Sequence, residues 1–262
     1  MKMRKAELSS ARDVQRIIMP PTSGRHGAAP AEMCYHMHSV PGRLVAGDLF
    51  DFFAIDSNRA AVLLGDVMGK GVAAGMLMAN VQAHLSRLLR QTADPGVALT
   101  DVNSLVAEYS RRYGSGSERG HVTLFLSLWA GVIDLSARTL RFVDAGHGYA
   151  LLRNGEAPPQ QFVSAGGPPL GVADGYEYTT ECLPLSPGAR LTLFSDGVAE
   201  QQSLAGTQFG MDAAIRLLTP VRPPEEEVKT LIDAVRAHAG LGNSAVDSPF
   251  ADDVTVASIA VH

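Results

Sequence analysis

A chain of 262 residues with 46% hydrophobic and 19% charged side chains can bury a sizeable core, which excludes global disorder. A net charge of −5 with no Lys/Arg-rich run excludes the electrostatic footprint of a nucleic-acid binder. Two distant cysteines, Cys34 and Cys182, exclude a disulfide framework and a cysteine zinc motif; they read as buried free thiols in a reducing cytosol.

The N-terminus Met1-Lys2-Met3-Arg4-Lys5 is basic, but no apolar segment follows it. The longest apolar run, Val122 to Leu135, is broken by Ser127, Gly131 and Asp134 and is too short to span a bilayer. No membrane span and a cytoplasmic location are therefore expected. Leu8, Ala11, Val14, Ile17 and Ile18 recur at helical spacing and predict an amphipathic helix over 6–19, stopped by Pro20-Pro21. Residues 1–20 are expected to form a connector or dimerisation helix ahead of a single domain over 21–262. Residues 22–30 read as a Gly/Pro/Ala-rich loop. Strands are expected over 32–39, 49–56 and 59–67, with Asp56-Ser57-Asn58 as a hairpin turn.

Helices are predicted over 72–90 and 97–113, separated by Asp94-Pro95-Gly96 and followed by a loop at 114–117. Further strands are expected over 121–133, 139–144, 149–153, 176–183 and 190–194. Helices return over 211–218 and 225–239, the latter opening on Glu225, Glu226 and Glu227, and a last strand covers 254–261. Hairpin-linked strands with paired helices between them predict an antiparallel, layered α+β fold.

Acids recur at the ends of these strands. Asp48 and Asp51 lie at the start of one, Asp66 ends its hairpin partner, Asp196 follows Leu191-Thr192-Leu193-Phe194-Ser195, and Asp252 and Asp253 precede the last. An Asp beside Gly is ordinarily a turn former. Four such sites on one chain can instead converge on one sheet edge, where unpaired carboxylates are unfavourable unless cations fill the cluster. Oxygen-only ligands suit Mg²⁺ or Mn²⁺. Two such ions can clamp a phosphate and activate a water at neutral pH.

The segments Ala46-Gly47-Asp48-Leu49-Phe50-Asp51, Gly65-Asp66-Val67-Met68-Gly69-Lys70-Gly71, Ala145-Gly146-His147, Ser195-Asp196-Gly197-Val198-Ala199-Glu200 and Asp252-Asp253-Val254-Thr255-Val256 occur in that order. Together with Gly167-Pro168-Pro169-Leu170-Gly171, Phe209-Gly210 and the leading stretch from Ala11 to Pro20, they resemble the SpoIIE/RsbU-type branch of the PPM (type 2C) serine/threonine phosphatases. The resemblance implies a four-layer α-β-β-α sandwich of two antiparallel sheets flanked by helices, with two Mn²⁺ or Mg²⁺ ions at one edge. It implies that Asp66 bridges both metals, that Asp196 and Asp252 complete the first site, and that Asp48 serves the second. The Val67 backbone carbonyl is a further expected ligand. Asp51 and Asp253 are secondary candidates, and Lys70 is a candidate for drawing in phosphate. The implied activity is hydrolysis of phosphoserine or phosphothreonine on a STAS-domain anti-sigma-factor antagonist in bacterial partner switching. Ala46 and the pair Gly148-Tyr149 depart from the family pattern without removing a metal ligand.

Other readings compete at single positions. Gly65 to Gly71 is no P-loop: the glycine spacing is one residue short, and Gly71 stands where Ser or Thr is required. His36 and His38 share one strand face without further ligands nearby. His147, between two glycines, reads as an acid or a packed turn residue, with the structural role favoured; Ser195 lacks the G-x-S-x-G context of a nucleophile, and Met68, Met76 and Met78 read as core. Two rival functions are a non-catalytic partner-binding module of the same fold and a phosphatase of small phosphate esters. The two long helices after Asp66 are candidates for a two-state control element.

Overall fold

The computed structural model describes residues 2–29, 31–42, 45–69, 71–115, 124–161, 164–241 and 250–262, with backbone alone over 2–9 and 113–115. In chain order the elements are α1 (Lys2–Ile18), β1 (Ser23–Ala28), β2 (Ala31–Val40), β3 (Asp48–Ala54), β4 (Arg59–Val67), α2 (Val72–Thr92) and α3 (Pro95–Ser115). They continue with β5 (Leu126–Asp134), β6 (Thr139–Ala145), β7 (Ala150–Arg153), β8 (Gln160–Gln161), β9 (Glu181–Pro184) and β10 (Arg190–Phe194). The chain closes with α4 (Asp196–Ala199), α5 (Met211–Leu218), α6 (Pro224–His238) and β11 (Val254–Val261).

Two antiparallel sheets result, one in the order β1-β2-β11-β10-β7-β8 and the other β3-β4-β5-β6-β9. Side-chain alternation along the strands divides the core into three layers. On β3, Leu49 and Phe53 face α2 and α3, where they join Leu63, Met78, Leu85, Leu99 and Val106. Phe50 faces the other way and packs with Leu64, Trp129 and Phe142 against Tyr35, Leu191 and Ile259 of the opposite sheet. Phe194 and Val256 meet Leu218, Leu231 and Val235 of α5 and α6 on the outer side. The α+β class and the four-layer α-β-β-α order expected from the sequence are what the chain adopts.

Five elements differ from expectation, among them the two-residue edge strand β8, which was not expected at all. Residues 23–28, read as loop, form β1, an edge strand whose ladder to β2 is made by backbone groups alone and so leaves no apolar periodicity. The strand expected over 176–183 is reduced to β9, because Tyr178 leaves the sheet to bury its ring while its N–H donates to Thr100 Oγ1 at 2.9 Å. The strand expected from 121 begins at Leu126; residues 121–123 lie outside the described residues. A short helix, α4, follows β10. Met76, expected in the core, is exposed on α2, and of the two thiols expected to be buried Cys34 is half-buried and Cys182 exposed.

The topology brings four strand ends to one place. In the β3–β4 hairpin Asp56 Oδ1 accepts the N–H groups of Asn58 and Arg59 at 3.0 and 2.9 Å, and the resulting register sets Asp48 directly opposite Asp66. In the other sheet the end of β10 pairs with the start of β11, Phe194 opposite Val256. Both pairs of ends open on the same edge of the sandwich, as the bonds from Gly42 and Gly47 to Asp253 show.

Candidate metal centre

Asp253 fastens the two sheets together at this edge. Its Oδ1 accepts the N–H of Gly42 at 2.7 Å and its Oδ2 accepts that of Gly47 at 2.6 Å, so the segment leading into β3 is held against the start of β11. Ser195 does the same for β10: its Oγ accepts the N–H of Thr255 at 2.9 Å and donates to the Asp253 carbonyl at 3.2 Å. Gly197 then lets α4 approach, since a Cβ there would stand 2.0 Å from the Asp253 carbonyl oxygen. Asp196 and Asp252 are thereby placed as neighbours.

Gly47 is packed against oxygens. A Cβ at that position would lie 3.0 Å from Asp66 Oδ1, 3.2 Å from the Val67 carbonyl oxygen and 3.4 Å from that of Gly69. Asp48 is 1% exposed, and its Oδ2 is buried with no hydrogen-bond partner. Burial, then the charge of Asp66, push its carboxyl well above the usual range, while the hydroxyls of Thr255 and Ser195 favour the ionised form.

Two adjoining cavities open here. One of about 390 Å³ includes Asp66, Ser127, His147, Tyr149 and Asp196 in its lining; the other, of about 300 Å³, includes Asp196, Gly197 and Asp252. Asp196 and Glu200 line both, so the two form one acidic cleft, and none of the described residues lining it is Arg or Lys. Tyr149 donates its hydroxyl to Glu200 Oε1 at 2.9 Å, and its phenol is pushed up by burial and by that carboxylate.

Asp66, Asp196 and Asp252 are thus brought to one cleft, with Asp48 buried behind Asp66. Asp51 is not brought there: it lies on the opposite face of β3, where Oδ2 accepts Gln82 Nε2 at 3.0 Å and Ser86 Oγ at 3.1 Å. Asp253 anchors the loop as described, and Lys70 lies outside the described residues. Glu200 was not singled out from the sequence; its signal is the helical spacing of four from Asp196 across α4. Among the described residues no three His, Cys, Asp or Glu side chains already gather tightly enough to ligate one ion. A hard cation that keeps several waters needs few direct protein ligands, however. The buried, partnerless Asp48 Oδ2, the oxygens around Gly47 and an all-oxygen donor set fit such a cation.

The family model for Stage II sporulation protein E (SpoIIE) matches residues 56–262. The chain belongs to the SpoIIE family. This SpoIIE-family chain is 27% identical over 248 residues to Protein IcfG of Synechocystis sp., covering 86% of the chain and 38% of IcfG. It is 24% identical over 156 residues to the phosphoserine phosphatase RsbP of Bacillus subtilis, covering 60% of the chain and 37% of RsbP. The chain therefore spans well under half the length of these curated relatives. Among solved structures, the SiaA-PP2C domain of Pseudomonas aeruginosa superposes with a TM-score of 0.77 at 18% identity, covering 99% of this chain and 97% of that one. RsbX in complex with magnesium superposes with a TM-score of 0.62 at 12% identity, covering 92% and 100%. The fold is that of PP2C phosphatase domains. No helix among the described residues is long and apolar enough to cross a membrane.

Proposed function

We propose that this chain is a metal-dependent protein phosphatase that hydrolyses phosphoserine or phosphothreonine. The observation that carries the reading is the acidic cleft. Asp66, Asp196 and Asp252 line it, with Asp48 buried alongside, in a fold shared with PP2C domains. Asp48, Asp66, Asp196, Asp252 and the Val67 carbonyl would hold two Mn²⁺ or Mg²⁺ ions. When bound, the ions supply Lewis-acid charge on the phosphoryl oxygens and a nucleophilic water at neutral pH.

The chain's own residues do the rest. Asp253 holds Gly42 and Gly47 in place and so fixes where Asp48 and the Val67 carbonyl sit. Met68, Phe125 and Pro169 form an apolar wall that limits water in the cleft. Tyr149 and Glu200 brace its rim. Lys70 is proposed to draw the phosphate in.

The name of RsbP supports phosphoserine as the substrate, and a phosphorylated STAS-domain regulator of a bacterial partner-switching pathway, in the cytoplasm, is the proposed partner. Residues 1–20 are proposed to act as a connector ahead of the phosphatase domain over 21–262. Val14 and Ile17, 56% and 83% exposed on α1, support a homodimer through that helix.

The test is release of phosphate from phosphorylated STAS-domain proteins of the same genome, with Mn²⁺ and with chelator. Metal-dependent release is expected. Metal binding and partner binding without any release would instead identify a non-catalytic module, and preference for metabolite esters would identify a small-ester phosphatase.

A further inference from the structure

The turn between β6 and β7 carries a histidine that the reading above does not use. Asp144 locks this turn: its Oδ1 accepts the N–H of His147 at 2.6 Å and its Oδ2 accepts that of Gly148 at 2.9 Å. Gly146 and Gly148 on either side have φ of 72° and 76°, a region that favours glycine, so the turn presents one side chain only. The imidazole is 4% exposed and meets the Tyr149 ring edge-on at 5.7 Å. The ring's hydrogen bond to the Phe194 backbone is assigned to Nδ1–H, since Nε2 has no partner. Its Nε2 is buried, has no hydrogen-bond partner, and belongs to a residue that lines the cleft with Asp66 and Asp196.

A neutral imidazole that donates from one nitrogen carries a lone pair on the other. Burial holds this ring down to a pKa of about 4, in agreement with the single proton that the geometry provides for. A buried polar atom without a partner is costly, so its presence beside a reactive cleft calls for something that satisfies it. The available chemistry is a donor, and in a cleft of carboxylates the donor is water.

We propose that His147 is a positioning residue. Its Nε2 lone pair accepts a hydrogen bond from a water in the cleft between Asp66 and Asp196 and so sets how that water's oxygen faces the phosphoryl group. This rests on the reading of the cleft as a phosphatase site. In this tautomer Nε2 has no proton to give the departing serine or threonine oxygen.

Two substitutions separate this role from a structural one. Asn reaches the Nδ1 position and keeps a donor toward Phe194, whereas Gln reaches the Nε2 position. His147→Asn is expected to keep the wild-type thermal midpoint and the calorimetric Mn²⁺ affinity. Its kcat on p-nitrophenyl phosphate should fall by about tenfold or more while KM moves by less than about threefold. His147→Gln should recover part of kcat. In the Mg²⁺-loaded wild type, ¹⁵N NMR of the imidazole should show Nδ1 protonated and Nε2 as the acceptor. Wild-type kcat in His147→Asn, a loss confined to KM or Mn²⁺ affinity, or a proton on Nε2 would each overturn the proposal. If His147→Asn does not fold, the wild-type spectrum and His147→Gln decide. A wild type with no turnover sinks the phosphatase reading and this proposal with it; an active wild type matched by His147→Asn sinks this proposal alone.

Discussion

Gly47 shows how much of the site depends on one missing side chain. Its Cα faces Asp66 Oδ1 and the carbonyls of Val67 and Gly69, and a Cβ would enter that space at 3.0–3.4 Å. Gly47→Ala should leave the fold standing but push these oxygens apart, raising the Mn²⁺ concentration for half-maximal turnover by about tenfold. An unchanged metal titration would mean that the oxygens around Gly47 do not serve the ion. The glycine before Asp48 is plain in the sequence; the oxygens it admits are not, because they come from a strand paired to it only in the fold. Asp51 teaches the converse. It shares a segment with Asp48, yet the two-residue period of β3 turns it toward α2, where burial pushes its carboxyl above the ordinary 3.8 and bonds from Gln82 and Ser86 pull it back. A folded-state pKa above the unfolded one favours folding at low pH. That contribution is lost as pH rises from 3.8 through the folded value. The stability of wild type relative to Asp51→Asn, from urea midpoints, should therefore fall across that window and then level off. A flat difference would remove Asp51 from the titrating groups.

At the level of elements, the amphipathic spacing of α1 is legible in the sequence but its attachment is not. Gln15 Nε2 donates to the Ala46 carbonyl at 2.8 Å and the Ala46 N–H donates to Gln15 Oε1 at 3.0 Å, a reciprocal pair across 31 residues. Gln82 adds a bond to the Ile18 carbonyl at 3.3 Å. Nothing local marks a polar residue on a helix as the partner of a distant backbone unit. Since Ala46 precedes Gly47, α1 is tied to the segment that packs on Asp66. Gln15→Leu should destabilise the fold by about 2 kcal/mol in urea titration, through the buried Ala46 groups left without partners. It should also weaken Mn²⁺ activation. A variant with wild-type midpoints in both would show that α1 is not coupled to the cleft. Strands β4, β10 and β11, with strong apolar runs, were legible to the residue. Edge strands β1 and β8 and the shortened β9 were not, because backbone pairing and the burial of Tyr178 decide them.

Across the whole molecule, the two sheets are joined by a layer in which Phe50, Leu64, Trp129 and Phe142 face Tyr35, Leu191 and Ile259. Phe50 is fully buried there, two residues beyond Asp48 on the same face of β3. Phe50→Ala should cost about 3–5 kcal/mol of unfolding free energy, measured in urea. The layered class was readable from hairpin-linked strands and paired helices, and the ordered acidic segments pointed to the edge where the strand ends meet. Which acids line the cleft depended on register, which pairs Asp48 with Asp66 and sends Asp51 away. These carboxylates are proposed to carry metal-dependent phosphate release. The most direct measurement is Mn²⁺-dependent turnover of a phosphoserine peptide by wild type, Asp66→Ala and Asp196→Ala, each checked for folding by circular dichroism. Wild-type turnover that chelator removes is expected, with a fall of at least about a hundredfold in both variants. Wild-type rates in either folded variant, or full turnover in chelator, would contradict that role.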